Sequence, residues 1–489
     1  MRLFKKVGNT LHILSFPGEE IEKGGYLVIE DHKAKKSMVA QVIDIQYANV
    51  PGIMEELLRS PNIEEDPECN DIDPLNIVSH IQHIQDTHLL ICKIHGTIFG
   101  EEIRPENSWL PSRIHSTIKR LTTESLLKII GVCNGLRINL GWTHDMVPFF
   151  IDACELDGRL NVITGKKGTG KSHLSKIIAL GLVEHGATVI VFDINGEYTN
   201  LGLTCNGEKN RFYDKIHILS PGKNFKVTLY QTDLYVILRI LTYVLDLPGT
   251  SAREFRQIWR LLHERGSLTL SSLGDAIRRW ECNQHVRDAM FSRYHALLNS
   301  NFFTDNMAEA VDFEGLIRKI EKGGGGVIVV DLSETSHTDR QIVVEFILAE
   351  LQEALSQRRI EPIFLFAEEA HLYLRETYWD DVVTRMRHLG IFTTFVTNQP
   401  NTINENIYRQ VDNIFLLNFV NEHDLETVSR AAKVDAETVI SIVRDLPPHY
   451  CLVLGKIVKD FPMIIKIRPL DIKMMGETRF FWKRSAENH

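Results

Sequence analysis

The chain has 489 residues, of which 44% are hydrophobic; this excludes a largely disordered protein and predicts two or three packed domains. Its formal net charge of -9 excludes a protein that coats nucleic acid through bulk positive charge. No run approaches the roughly 20 apolar residues of a membrane helix, and the first residues lack the apolar core of a signal peptide, so we expect a cytoplasmic protein with no membrane contact. The seven cysteines stand singly without zinc spacing and are predicted to be buried thiols.

Short strands separated by glycine and proline turns are predicted in the amino-terminal region. They cover residues 10–16, 25–30, 38–45 and 87–99. Their spacing predicts a small antiparallel β-barrel over residues 1–105, followed by a connector over residues 106–157.

Beyond the connector the strands become nearly continuous apolar runs that alternate with helical patterns, which is typical of a parallel sheet covered on both faces. The predicted strands cover residues 160–164, 188–193, 215–220, 327–331, 363–367, 392–397, 413–418, 450–457 and 463–468. Residues 231–322 have helical periodicity instead. The pattern therefore predicts an α/β core in two parts, residues 158–230 and 323–470, with a helical insertion between them and a tail over residues 471–489.

A phosphate-binding loop is predicted directly after the first strand of this core. The segment fits GxxxxGK[ST] and is framed by an apolar strand and an apolar-striped helix, as such loops are. The residues of the loop are Gly165, Lys166, Lys167, Gly168, Thr169, Gly170, Lys171 and Ser172. His173, which follows the loop, is a further candidate ATP contact. Backbone N–H groups would surround the phosphates of ATP, Lys171 would bind the β- and γ-phosphates, and the Ser172 hydroxyl would bind Mg²⁺.

Two adjacent carboxylates, Glu368 and Glu369, follow the apolar run at residues 363–367. A phosphate-binding loop needs acidic partners on a neighbouring strand, one for the metal and one for the attacking water. We therefore predict that Glu368 binds Mg²⁺ and that Glu369 polarises the water. A pair of surface glutamates at the start of a helix is the alternative.

Three further strand ends carry polar candidates. Asp193 and Glu197 follow the run at residues 188–192 and are predicted to lie near ATP, although a turn that uses Asp for its conformation would look the same. Gln399 follows the run at residues 392–397 and is the candidate sensor of the γ-phosphate, or else a polar loop residue. Asp331 competes with Glu368 for the metal, but lacks an adjacent carboxylate and is equally suited to capping.

Four of these motifs together resemble the HerA branch of the FtsK and HerA superfamily of hexameric, DNA-pumping P-loop ATPases. The motifs are the phosphate loop, the D-P-x-G-E-Y element at residues 193–198, the E-E-A-H run at residues 368–371, and the Q-R-P element at Gln399. Two departures are visible: Ile194 and Asn195 replace the Pro-x pair, and Pro400 directly follows Gln399 without the arginine. The resemblance implies a RecA-like core, the amino-terminal barrel and a homo-hexamer.

The resemblance also implies an arginine that acts on the γ-phosphate of the neighbouring subunit. Arg387 aligns with the family's arginine and is the candidate catalytic residue, with Arg385 and Arg409 as alternatives. A surface ion pair is the other interpretation of Arg387.

The resemblance implies an ATP-driven helicase or translocase on double-stranded DNA, without sequence preference. Such motors pair with a separately encoded nuclease of the NurA type, in repair, or with a nuclease or NAD-consuming sirtuin-like effector in antiviral defence. A protein-pumping ATPase and a nucleotide-gated ring scaffold that regulates an effector are the alternatives. The candidate DNA contacts, which a solvated face would explain equally well, are Lys209, Arg211, Lys215, Lys223 and Lys226.

Overall fold

The computed structural model describes most of the chain. The described residues are 1–19, 21–48, 86–100, 102–104, 108–131, 135–373, 387–403, 405–419, 421, 424–426, 428 and 436–473. Arg385 and most of the predicted tail therefore lie outside them. Within these ranges, no helix combines the length and apolarity that crossing a membrane requires.

The chain divides into two compact units. The first unit contains Met1–Asn134, Gly141–Ile151 and Leu416–Ile467, and the second contains Gly135–Leu140, Asp152–Phe415 and Arg468–His489. The predicted domain boundaries remain predictions, because they were drawn where the hydrophobic pattern of the sequence changes, whereas the two units are defined by contacts between residues.

An antiparallel sheet forms the amino-terminal part of the first unit. Its strands are β1 (Arg2–Val7), β2 (Thr10–Ser15), β3 (Tyr26–Asp31), β4 (Lys36–Tyr47), β5 (His88–Phe99), β6 (Glu102–Arg104) and β7 (Ser116–Leu121). They are ordered β1-β2-β5-β4-β3-β7, with β6 paired to β5. The edge strands β1 and β7 also contact each other, so the sheet curls around a core of aliphatic side chains. The expected antiparallel character is confirmed, and the sheet extends to β7, within the predicted connector.

The remaining elements, which lie wholly or partly in the first unit, are short. Helix α1 (Thr123–Ile130) is capped by Thr122 and ends at Gly131, whose φ of 65° suits glycine. Strand β8 (Arg137–Thr143) pairs with β18 (Met463–Ile467), which pairs with β17 (Tyr450–Gly455), both antiparallel. Strand β9 (Pro148–Asp152) and helix α9 (Ala436–Arg444) complete the set.

A parallel sheet is the centre of the second unit. Its strands are β10 (Asn161–Thr164), β11 (Thr188–Asp193), β12 (Ile216–Leu219), β13 (Gly326–Asp331), β14 (Ile363–Glu368), β15 (Ile391–Thr397) and β16 (Asn413–Leu416). They are ordered β12-β13-β11-β14-β15-β10-β16, and the five neighbouring pairs from β12 to β10 are parallel. Every residue of β11 is buried, as expected for a strand covered on both faces. The parallel α/β core is thus confirmed.

Helices cover this sheet and form the insertion. Helix α2 (Lys171–Glu184) packs on the sheet, and α8 (His337–Ser356) follows β13. The insertion comprises α3 (Leu234–Arg239), a π-helical turn (Ile240–Val244), α4 (Gly249–Glu264), α5 (Leu270–Arg279), α6 (Gln284–Asn299) and α7 (Phe313–Lys322). A buried ion pair of 2.7 Å joins Arg239 on α3 to Glu345 on α8, which fixes the start of the insertion to the core. Helical turns at Arg387–Leu389 and Glu405–Tyr408 flank β15.

The cysteine prediction holds only in part. Cys92 and Cys451 are buried, and burial raises the pKa of both thiols. Cys154 and Cys205 are exposed, so the prediction of buried thiols is wrong for these two. Cys154 lies in the 3₁₀ turn Ala153–Glu155 and Cys205 in a surface turn, and neither position requires an apolar environment.

Candidate active site

The predicted site residues other than Arg387 meet at the carboxyl-terminal edge of the parallel sheet. β15 lies between β10 and β14, with Thr164 opposite Thr397 and Glu368 opposite Val396. On the other side of β14, β11 ends at Asp193. Since strands that are parallel and in register end at one edge, this topology brings segments distant in sequence together.

The loop between β10 and α2 has the backbone of a phosphate-binding loop. Gly168 and Gly170 have φ values of 81° and 109°, which glycine adopts without a steric penalty. A Cβ at Gly168 would meet nothing within 4 Å, so this glycine serves conformation and not packing. The Thr169 hydroxyl donates to Lys166 O at 2.7 Å and holds the loop closed. The first turn of α2 has no side-chain cap, so its backbone N–H groups suit an anion.

Lys171 is buried at the start of α2, with 8% of its surface exposed. Its Nζ donates to Lys166 O at 3.2 Å. Burial lowers the pKa of Lys171, while the charges of Glu369 and Glu368 oppose this shift. The ammonium is thus held among acidic groups inside the loop, where a phosphate would be a strong partner.

Glu368 is almost fully buried at this edge, with 1% of its surface exposed. Burial, followed by the charges of Asp193 and Glu197, raises the pKa of Glu368 to about 8. Its Oε1 accepts a hydrogen bond of 2.8 Å from the Tyr198 hydroxyl, whereas its Oε2 is buried without a partner among the described residues. A nearby cation would relieve both conditions.

Glu369 occupies a strained backbone position directly after β14. Its φ of 43° and ψ of 47° lie in the left-handed region, which non-glycine residues rarely adopt. Its N–H donates to Val396 O at 2.8 Å, and its Oε2 accepts from the Thr397 hydroxyl at 3.1 Å. His371 Nδ1 lies 3.6 Å from the same oxygen, and burial lowers the pKa of His371, so this histidine provides little charge. The strained turn and Thr397 together set the direction of the Glu369 carboxylate.

The carboxylate of Asp193 stabilises the turn that follows β11. Its two oxygens accept the backbone N–H groups of Glu197 at 3.0 Å and of Tyr198 at 2.8 Å. Burial raises the pKa of Asp193 to about 6, against the opposing effect of these two hydrogen bonds. Glu197 is half-buried near Glu368. Asp331 caps Ser333, accepting its N–H at 3.1 Å and its hydroxyl at 2.6 Å.

Gln399 and Arg387 lie at different ends of β15. Gln399 is exposed just beyond its carboxyl end, where its backbone N–H donates to the Thr397 hydroxyl at 3.1 Å. Arg387 precedes the strand, pairs with Asp412 at 3.2 Å and donates to Gly158 O. Its side chain keeps 31% exposure, so the ion pair weighed as its alternative role is present, and any action on a neighbour would require it to leave Asp412.

The candidate DNA-contacting cations have intramolecular partners. Arg211 pairs with Glu184, Lys223 with Glu334 and Lys226 with Glu309, Lys215 donates to Gly324 O, and Lys209 lies 3.9 Å from the Tyr213 ring centroid. Exposed ion pairs of this kind are worth about 0–1 kcal/mol, so they neither require nor exclude a phosphate contact.

Three side chains of the site had no predicted role. Tyr198 and Ser175 contact each other beside Glu368, and Lys176 is almost fully buried on the same helix. Ser175 follows Ser172 by three residues, a helical spacing that places both on one face, and Lys176 interrupts an apolar stretch. These two signals were visible in the sequence, whereas the bond from Tyr198 to Glu368 depends on the fold.

The residues at this edge fit Mg²⁺. No group of three or more His, Cys, Asp or Glu side chains able to hold a metal occurs in the described part of the chain. Magnesium in nucleotide sites uses one or two protein oxygens, with phosphates and waters completing its octahedron. Ser172 on α2 and the unpartnered Oε2 of Glu368 are the oxygens that would hold it.

The sequence is similar to proteins named as helicases. Residues 138–351 match the family model described as "Helicase HerA, central domain". A DNA double-strand break repair helicase HerA from Pyrococcus furiosus is 23% identical, over 77% of this chain and 76% of that protein. A probable helicase from Methanocaldococcus jannaschii is 24% identical over 96% of this chain and 91% of its own length, and the HerA of Sulfolobus acidocaldarius is 22% identical over 85% and 87%.

Two solved structures share the fold. VirB4 of Thermoanaerobacter pseudethanolicus superposes with a TM-score of 0.53 at 16% identity, over 70% of this chain and 98% of that one. The bacterial conjugative coupling protein TrwB superposes with a TM-score of 0.52 at 11% identity, over 73% and 94%. At these identities the likeness concerns the fold alone.

Proposed function

Since the chain is a HerA-type P-loop ATPase of the FtsK–HerA superfamily, we propose that it uses ATP hydrolysis to move along double-stranded DNA. The observation that carries the ATPase assignment is the convergence of Lys171 and the Glu368–Glu369 pair at one sheet edge. The proposed substrate, duplex DNA, is supported by the HerA relatives from Pyrococcus furiosus and Sulfolobus acidocaldarius, whose names say that they act in double-strand break repair.

The residues divide the reaction between them. The N–H groups of the loop and the Lys171 ammonium bind the β- and γ-phosphates, and Mg²⁺, when bound by Ser172 and Glu368, neutralises phosphate charge. Glu369, held by Thr397, orients a water and accepts its proton as the water oxygen bonds to the γ-phosphorus. The bond to the bridging oxygen breaks, and ADP and phosphate result. Gln399, exposed beyond β15, is the proposed sensor of the γ-phosphate.

The ring, the DNA path and the partner belong to the proposal as well. Six subunits would place an arginine of one protomer at the phosphates of the next, and a central pore would bind the DNA backbone without reading bases. Cutting would come from a separately encoded nuclease or another effector.

ATP turnover of the purified chain, with and without linear double-stranded DNA, together with its mass in solution, tests this function. The proposal predicts a six-subunit particle whose turnover rises strongly with DNA. A six-subunit particle that turns over ATP at one rate with or without DNA would contradict the motor and favour the nucleotide-gated scaffold. A particle stimulated by a protein substrate and not by DNA would favour the protein pump.

Arg387→Ala is expected to leave ATP binding intact and to reduce hydrolysis by about 10³-fold, the lower range for an arginine that stabilises a phosphoryl transition state. Rings that mix Arg387→Ala with Glu369→Gln subunits should recover turnover, because some mixed interfaces then contain both intact groups. Turnover and nucleotide binding across a series of mixing ratios measure this.

Asp412→Asn is the matched control for Arg387→Ala, because it removes the ion pair but keeps the arginine and an oxygen for Leu160 N–H. Under the proposal it retains hydrolysis. If Asp412→Asn loses turnover to the same extent, and mixed rings recover none, then Arg387 has only a structural role. Arg409 would be substituted next.

A further inference from the structure

The phenol of Tyr198 connects three elements of the nucleotide site. Tyr198 has 0% of its surface exposed, and its Oη lies 2.8 Å from Glu368 Oε1 and 2.9 Å from Ser175 Oγ. Glu368 ends β14, Ser175 lies on the helix that follows the phosphate loop, and Tyr198 follows β11. A buried hydroxyl in this position has no solvent to satisfy it, so both contacts matter.

Counting protons fixes the direction of these hydrogen bonds. A phenol has one proton, and Glu368, once ionised beside a bound Mg²⁺, can only accept. Tyr198 therefore donates to Glu368, and the Ser175 hydroxyl, which rotates freely, donates to Tyr198. The carboxylate receives a bond to a charged acceptor, which is stronger than a bond between neutral groups.

Tyr198 is itself held from two sides. Its backbone N–H donates to Asp193 Oδ2 at 2.8 Å, so the turn after β11 sets the position of its ring. The buried ammonium of Lys176 lies 5.2 Å from the ring centroid, within the range of a cation–π contact. Holding the Tyr198 ring in place accounts for the buried Lys176 in the apolar helix α2 and for Asp193, whose two oxygens both accept hydrogen bonds from its own turn.

The second oxygen of Glu368 completes the argument. Because a carboxylate is planar, fixing Oε1 also fixes Oε2, which is the buried oxygen without a partner among the described residues. We propose that Tyr198 is a positioning residue, which holds Glu368 Oε1 so that Oε2 stays available to the Mg²⁺ that accompanies ATP. This inference rests on the proposed ATPase function and assigns the Asp193 turn a part in it.

Tyr198→Phe removes one oxygen and keeps the ring, so it tests the proposal with little change in packing. We expect kcat for ATP to fall about 10–100-fold, the usual cost of losing a group that orients a metal ligand, while KM for ATP stays within a few-fold. Mn²⁺ affinity, measured by electron paramagnetic resonance in the presence of ADP, should fall by a similar factor. This second readout does not depend on turnover.

Tyr373→Phe is the matched control. Tyr373 is buried near Glu368 and Glu369, packs edge-on against Phe192, and its hydroxyl has no partner in the described structure. Removing the Tyr373 hydroxyl should change neither kcat nor Mn²⁺ affinity. An equal decrease of both quantities in Tyr373→Phe and Tyr198→Phe would mean that any change of packing near the site has this effect, and that the Tyr198 hydroxyl has no positioning role.

Ser175→Ala covers the case in which Tyr198→Phe fails to fold. It removes the donor to Tyr198 and should lower kcat and Mn²⁺ affinity in the same direction, by a smaller factor. If wild-type protein turns over ATP and the folded Tyr198 or Ser175 variant matches it in both readouts, the positioning role is refuted and the ATPase stands. If wild-type protein shows no turnover, the proposed function itself fails.

Discussion

Lys171→Ala is expected to lower the affinity for ATP at least about 100-fold and to abolish measurable turnover. A lysine that binds the β- and γ-phosphates contributes charge-assisted hydrogen bonds of about 1.5–3 kcal/mol each, and 1.4 kcal/mol corresponds to tenfold in affinity. Titration with a fluorescent ATP analogue measures the affinity. Thermal unfolding with and without Mg·ATP provides a second readout, because a bound ligand raises the unfolding temperature.

The apo protein should tolerate this substitution. Lys171 is buried and burial lowers its pKa, so its removal relieves a desolvation cost in the empty site. Unfolding without nucleotide should occur at the wild-type temperature or above it. Lys322→Ala, at the exposed end of α7, is the control for losing one positive charge. Normal ATP turnover by Lys171→Ala would overturn the assignment of the phosphate loop.

Glu369→Gln is expected to bind ATP at least as tightly as wild type and to hydrolyse it about 10²–10⁴-fold more slowly. Glutamine keeps the length of the side chain and an oxygen for the Thr397 hydroxyl, but it cannot accept a proton from water. It also removes a negative charge next to the γ-phosphate. Single-turnover hydrolysis, measured beside equilibrium binding, separates the two effects.

Glu361→Gln is the matched control for Glu369→Gln. Glu361 is exposed just before the start of β14, at the opposite end of the strand from the site, and the hydrogen bond of its backbone N–H is unaffected by the substitution. It should turn over ATP normally. Loss of nucleotide binding in Glu369→Gln would show instead that the left-handed turn, and not the carboxylate, had been disturbed.

Strand periodicity and turn chemistry were enough to predict the parallel core. The run TVIVFD has four consecutive apolar residues between its threonine and its aspartate, and it forms β11 with the predicted boundaries. The amino-terminal sheet was harder to predict, because β1 and β7 mix charged, polar and apolar residues without a regular alternation, and only their pairing with β2 and β3 makes them strands. Tertiary pairing overrides a weak local pattern there.

The candidate site was predictable where the residue spacing within a motif determines the local structure. The loop glycines and Lys171 have spacing that fixes their backbone conformation, and adjacent glutamates after a buried strand can lie only at its carboxyl edge. A turn role for Asp193 and an ion pair for Arg387 were among the predicted alternatives. The sequence could not decide between these and the nucleotide roles, because the partners of each side chain depend on which groups lie beside it after folding. The same is true of Tyr198, whose partner Glu368 is distant in sequence.

Displacement of a triplex-forming oligonucleotide from linear double-stranded DNA tests the central claim most directly, because a bound third strand leaves only when a protein travels along the duplex. The account predicts ATP-dependent displacement by the wild-type protein. Glu369→Gln, or the wild-type protein with a non-hydrolysable ATP analogue, should displace none. Wild-type protein that hydrolyses ATP on this DNA yet leaves the third strand in place would contradict the claim that hydrolysis moves the protein along DNA.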